Sequence, residues 1–171
     1  VRREVLILRI ISLLSFGSVA VALVSQYVFA MQPCAWCVFQ RLLYLLLGTV
    51  ALFFTFKQPG RLRIAIGSIL LTLGALAGMA SAWYQEKVAA NTFSCAQTFA
   101  DQIMTKTGLD ASVPWLFGIY ASCMDARVKL LGIEYAWWSL AMFAVLAALA
   151  LGVIALLTAS QANYPQRHSP Y

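Results

Sequence analysis

Four cysteines carry the reactive chemistry of this 171-residue chain. Cys34 and Cys37 form a Cys-Ala-Trp-Cys motif, and Cys95 and Cys123 stand singly further along. At a helix start, unpaired backbone N–H groups and the helix dipole favour a thiolate, which serves both as attacker and as leaving group. A Cys-x-x-Cys in that position exchanges readily between dithiol and disulfide. Arg41 follows Cys37 by four residues, so on a helix the two side chains share a face one turn apart. Its cation can stabilise a Cys37 thiolate or polarise the oxygen of a bound electron acceptor. The alternative is an interfacial arginine whose stem merely snorkels. One Cys-x-x-Cys with two remote cysteines and no histidine nearby fits zinc-ligand spacing poorly, and no metal is expected.

The elements that must position these residues are membrane spans. The chain is 62% hydrophobic and 11% charged, against about 45–50% and about 25% in soluble domains, so lipid is the solvent for much of it. Four apolar runs, at about 10–31, 38–56, 64–83 and 135–158, are long enough to cross a hydrocarbon core. The expected fold is all-α: one polytopic membrane domain over 1–171, an antiparallel four-helix transmembrane bundle with a long outer loop between helices 3 and 4. Arg2, Arg3 and the run ending Val28-Phe29-Ala30 also resemble a signal peptide, but the run is longer than a signal core. Gly74 and Gly78, four apart, permit close helix packing.

Charge sets the orientation. Lys57, Arg61 and Arg63 crowd one short loop, and Arg2, Arg3, Arg9 and Arg167 fall on the same side, which should be cytoplasmic with both termini. The net charge of +6 is therefore a topology signal, and no nucleic-acid partner is expected. Outer loops at about 32–37 and 84–134 then hold all four cysteines on the side where disulfides persist. Within the second loop, the apolar stretch 113–120 is too short to cross. It either lies along the membrane surface or forms a small plug in the loop.

Two disulfides stapling a tetraspan scaffold would account for the loop pair but weakly for Cys34 and Cys37, since so short a bridge removes little chain entropy. A relay accounts for both pairs. Electrons enter at the loop cysteines from a soluble dithiol, pass by exchange to Cys34 and Cys37, and leave into a lipid-soluble oxidant, for which a quinone is the obvious candidate. Cys37 lies about 4.5 Å deeper along its helix than Cys34 and should meet that acceptor.

The ordered combination of four spans, Cys34-Ala35-Trp36-Cys37 followed by Gln40-Arg41, two later cysteines, and Leu131-Gly132-Ile133-Glu134 leading to Trp138 resembles the bacterial disulfide bond formation protein B family. The resemblance implies a multi-pass inner-membrane oxidoreductase using ubiquinone or menaquinone to reoxidise a periplasmic thioredoxin-like dithiol oxidase of the DsbA type. It further implies that Cys95 is captured by the reduced partner with Cys123 as leaving group. Cys123 then engages Cys34 and frees Cys37 to meet the quinone, with Arg41 polarising the system. Vitamin K epoxide reductase-like proteins are similar in parts, but their loop pair precedes the Cys-x-x-Cys. A paralogue serving a dedicated partner and a non-catalytic tetraspan protein are the remaining alternatives. Where some family members carry a histidine near the quinone, this chain reads Trp83-Tyr84-Gln85-Glu86, and its only histidine is His168. Phe93, two residues before Cys95, is either a docking aromatic or an ordinary loop residue.

Overall fold

A computed structural model describes residues 2–56, 59–91 and 98–162. Cys95, Phe93, Lys57, Arg167 and His168 lie outside the described residues. Four long helices dominate: α1 (Arg2–Tyr27), α2 (Ala35–Thr55), α3 (Arg61–Lys87) and, after the outer segment, α7 (Tyr135–Ala162). Each is long and apolar enough to cross a membrane, with mean hydropathy between 1.9 and 2.8. They pack in the cyclic order α1, α2, α3, α7, with α7 closing against α1. Short connections make α1 and α2, and α2 and α3, antiparallel, and α7 follows the long outer segment. This is the four-helix membrane bundle expected from the sequence.

Helix α1 begins at Arg2 and ends at Tyr27, four residues before its charge-free run does. The stop has a local cause. Ala30 takes a left-handed backbone conformation (φ 53°), and Pro33 disfavours helical geometry in the residue before it. The chain turns there and re-enters the bundle through Cys34, the N-cap of α2.

The bundle is polar inside and apolar outside at many positions. Leu13, Leu62 and Leu73 are 60–75% exposed, whereas Gln26, Gln40, Arg41, Ser68 and Gln85 are buried. Lipid gives apolar side chains no reason to leave the surface, so helices associate through small residues and polar contacts. A Cβ on Gly78 would stand 2.3 Å from the Phe143 ring, so only glycine lets α3 approach α7 there. Gly74 similarly admits Leu47 of α2, and the Ser12 hydroxyl of α1 donates to the Gly48 carbonyl of α2 at 2.9 Å.

Residues 98–134, between α3 and α7, are folded onto one end of the bundle. Helix α4 (Phe99–Lys106) opens with a reciprocal cap. The Thr98 hydroxyl accepts from the Asp101 N–H, and the Asp101 carboxylate accepts from the Thr98 N–H at 2.8 Å. Single turns α5 (Leu109–Ser112) and α6 (Pro114–Phe117) follow. A hairpin then pairs β1 (Lys129–Leu130) with β2 (Ile133–Glu134) through Leu131 and Gly132, both at positive φ. The apolar stretch 113–120 packs onto α2 and α4 through buried Phe117, with Val113, Leu116 and Ile119 against Val38 and Met104. Trp115 and Tyr120 remain exposed. Of the two expectations for this stretch, the plug describes its inner face.

Candidate active site at the outer end of the bundle

The first outer turn is stitched to the second outer segment by backbone. The Pro33 carbonyl accepts from Tyr120 N–H at 3.0 Å and from Ala121 N–H at 3.3 Å. Tyr27 at the end of α1 donates its hydroxyl to the Trp115 carbonyl at 2.7 Å. These contacts bring Cys123 to Cys34: Cys123 and Ala126 pack against the cluster formed by Cys34, Ala35, Trp36 and Ala100. Three of the four cysteines therefore share one end of the molecule, all as free thiols.

Cys34 is fully buried, and its sulfur lies 3.2 Å from that of Cys37 in the first turn of α2. Sharing hydrogen bonds with the Cys123 sulfur first, and with Cys37 second, pushes the Cys34 thiol well above its ordinary value, and burial adds to this. The Cys34 and Cys37 sulfurs are within hydrogen-bonding distance of each other, and either can donate.

Arg41 does not reach out along the bundle surface. Its guanidinium is buried, donating from Nη1 to Gln26 Oε1 at 2.6 Å and to the Leu116 carbonyl at 3.1 Å, and from Nη2 to the Ala22 carbonyl at 3.3 Å. All these acceptors are neutral. Burying a cation among neutral acceptors is costly unless an anion completes the site.

Cys37 and Arg41 face a common cavity of about 580 Å³, within the range of small-molecule sites. Its polar end holds Cys37, Gln40, Arg41 and Gln85. Its apolar wall is made by Leu13, Leu14, Gly17 and Val21 of α1 and Met142 of α7. Across the rim, Arg127 binds Glu134 at 2.8 Å and Glu86 at 3.4 Å, tying the hairpin to the end of α3.

The residues that sequence reasoning does not place in the site are Gln26, Gln40 and Ser139; for Gln85 and Glu86 it raises quinone binding only as a guess, outside the expected site residues. Gln85 Nε2 donates to Cys37 Sγ at 3.2 Å and its Oε1 accepts from Gln40 Nε2 at 2.7 Å. The available signal was an uncharged amide inside an apolar run, as at Gln26 and Gln40. A polar group in a span is rare and marks function or packing. Among the described residues, no group of His, Cys, Asp and Glu is arranged to hold a metal.

Comparison with known proteins agrees with this geometry. The family model described as "Disulfide bond formation protein DsbB" matches residues 3–153. The disulfide bond formation protein B of Nitrosomonas europaea is 32% identical over 142 residues, covering 81% of this chain and 85% of that protein. That of Polaromonas naphthalenivorans is 30% identical, covering 87% and 92%. That of Nitrosomonas eutropha is 32% identical, covering 86% and 92%. A match over nearly the whole chain, on a four-helix membrane bundle with a Cys-x-x-Cys beside a third cysteine at one end, means that this chain belongs to the DsbB family of disulfide bond formation oxidoreductases.

Proposed function

We propose that this chain is a thiol:quinone oxidoreductase of the bacterial inner membrane, which reoxidises a periplasmic thioredoxin-like dithiol oxidase and delivers the electrons to a membrane quinone. The observation that carries the reading is the placement of Cys37 and Arg41 on the polar end of a cavity whose other wall is apolar. A quinone fits that division: its carbonyl oxygens call for donors, and its ring and tail call for hydrocarbon.

The cysteines work as two exchanging pairs. In the oxidised enzyme, Cys95 is joined to Cys123 and Cys34 to Cys37. A thiolate of the reduced partner attacks Cys95, and Cys123 leaves as thiolate. Cys123 attacks Cys34, forming an interloop disulfide and releasing Cys37 as thiolate. The partner's second thiol resolves the mixed disulfide at Cys95, so the partner leaves oxidised. Its two electrons and two protons remain with the enzyme. The Cys95 thiolate then takes back Cys123, and the electron pair rests on the Cys34 and Cys37 dithiol. A bound quinone supplies a two-electron, two-proton acceptor. Arg41 holds and polarises that acceptor, buried Cys34 retains a proton, and the apolar wall excludes water. Both termini and the basic start of α3, with Arg61 and Arg63, belong on the cytoplasmic side in this reading, with the cysteines periplasmic.

The test is turnover in detergent with a reduced thioredoxin-like dithiol oxidase and added ubiquinone or menaquinone, followed by quinone absorbance. Quinone reduction by the wild type, lost in a folded Cys37→Ser variant, is expected. A wild type that oxidises the partner without reducing either quinone would refute the proposal.

A further inference from the structure

Cys37 ends a chain of neutral hydrogen bonds that crosses three helices. Ser139 Oγ of α7 donates to Gln40 Oε1 of α2 at 2.6 Å. Gln40 Nε2 donates to Gln85 Oε1 of α3 at 2.7 Å, and Gln85 Nε2 donates to Cys37 Sγ at 3.2 Å. Tyr44 secures the far end, its hydroxyl 3.1 Å from both the Ser139 hydroxyl and the Ser139 carbonyl. The Tyr44 ring is itself stacked on Phe143, with centroids 4.1 Å apart.

Two features give this chain a chemical direction. Each amide uses its oxygen toward Ser139 and its nitrogen toward Cys37, so the bond dipoles add and their positive end meets sulfur. Hydrogen bonds in series polarise one another in this way in a low-dielectric interior. Both amides are also buried, and an unpartnered amide in an apolar medium is costly. Ser139 fixes Gln40, and Gln40 fixes Gln85. The Ser139–Gln40–Gln85 series holds no carboxylate and no imidazole, so its donor does not switch off with pH. The titratable and charged groups that face Cys37 are Cys34 at 3.2 Å and, around the shared cavity, Arg41, Tyr44, Glu86, Cys123, Arg127, Glu134 and Tyr135, all of which the Gln85 and Ser139 variants leave in place.

We propose that Gln85 is a catalytic residue whose side-chain amide holds the Cys37 sulfur as thiolate, and that Gln40 and Ser139 are positioning residues that keep this amide donor-side toward the sulfur. The proposal deepens the reading of Cys37 as the electron-releasing sulfur, but its test reads Cys37 directly.

The reduced full-length protein in detergent is treated with iodoacetamide across a pH series, and modification at Cys37 is followed by mass spectrometry. In Gln85→Leu the midpoint of the Cys37 profile is expected to move to higher pH. The rate near pH 7 should fall about three- to tenfold, the scale of one lost hydrogen bond. Gln85→Glu preserves shape but sets a carboxylate against sulfur, and should move the midpoint further in the same direction. Ser139→Ala, which leaves the Cys37 contact intact, should produce a smaller shift of the same sign. Profiles of Gln85→Leu and Gln85→Glu that superimpose on wild type in folded protein would overturn the proposal. Should Gln85→Leu not fold, a wild-type profile in both Gln85→Glu and Ser139→Ala would overturn it equally. Absent quinone turnover with shifted profiles would defeat the enzymatic reading and leave the assignment of Gln85 standing; intact turnover with unshifted profiles would do the opposite.

Discussion

Arg41 of α2 donates to Gln26 of α1 at 2.6 Å, and the same guanidinium reaches the Leu116 carbonyl in α6. One cation thereby joins two spans to the outer segment at the polar end of the cavity. Lysine cannot reproduce these contacts, because its ammonium is a single point rather than a planar fork. Arg41→Lys is expected to lower kcat/KM for quinone by at least about tenfold, the effect of losing roughly one charge-assisted hydrogen bond. Trapping of the soluble partner as a mixed disulfide should continue. Steady-state quinone reduction, run beside a gel assay of the mixed disulfide, checks both halves.

Cys123 packs against the buried cluster that contains Cys34, although the two cysteines are far apart in sequence. In a Cys37→Ser/Cys95→Ser double variant, mild oxidation should join them almost completely. A Cys34→Ser/Cys95→Ser variant should form its remaining bridge more slowly. Non-reducing electrophoresis after timed quenching distinguishes the two rates, and equal slow oxidation in both would contradict the packing of Cys123 on Cys34.

Gly78 has no room for a side chain. The Phe143 ring it faces is fully buried and stacked on Tyr44, so it cannot swing away. Gly78→Ala should destabilise the bundle by about 1–3 kcal/mol, the usual scale of overpacking. Gly74→Ala should cost less, because it meets the end of the flexible Leu47 side chain. Gly152→Ala meets nothing within 4 Å and should leave stability unchanged or slightly raised. Thermal unfolding in detergent ranks the three.

Arg127 latches the hairpin to α3 through Glu134 and Glu86. The hydrogen bond shared with Glu86, and then the Arg127 guanidinium, hold the Glu134 carboxyl below the usual range, and Glu134 raises Arg127 in return. A depressed carboxyl contributes stability that is full above its unfolded-state value of about 4.3 and fades as pH falls through the folded-state value. The Arg127–Glu134 arm of the latch should therefore hold at neutral pH and release in acid. Because Cys123 lies four residues before Arg127, Arg127→Ala should raise the alkylation rate of Cys123 at neutral pH about two- to fivefold, the scale of an exposed ion pair. Acidification should bring the opening of the wild-type hairpin toward that of the variant, as read by hydrogen exchange of residues 127–134.

Much of this protein was legible from residue order alone. Uninterrupted apolar runs have only one stable form in lipid, because every backbone N–H and C=O must be satisfied within the segment. The four helices and their antiparallel order follow from that constraint. Cys34, Cys37 and Arg41 could be read together for a similar reason: they sit within two turns of one helix, where spacing fixes which side chains meet. Helix ends were less legible. The stop at Tyr27 depends on the backbone at Ala30, and no apolar pattern encodes it.

Contacts between remote segments belong to the tertiary structure. That Cys123 packs on Cys34 depends on the Pro33 carbonyl binding the backbone at Tyr120 and Ala121, and backbone donors carry no side-chain signature. Gln26 and Gln40 stand out in the sequence only as amides inside apolar runs, without their partners; three-dimensional packing joins Gln26 to Arg41 and points Ser139, Gln40 and Gln85 in series toward one sulfur. Periodicity reports which face of a helix is apolar, whereas the identity of the group across the interface is decided only when the helices dock.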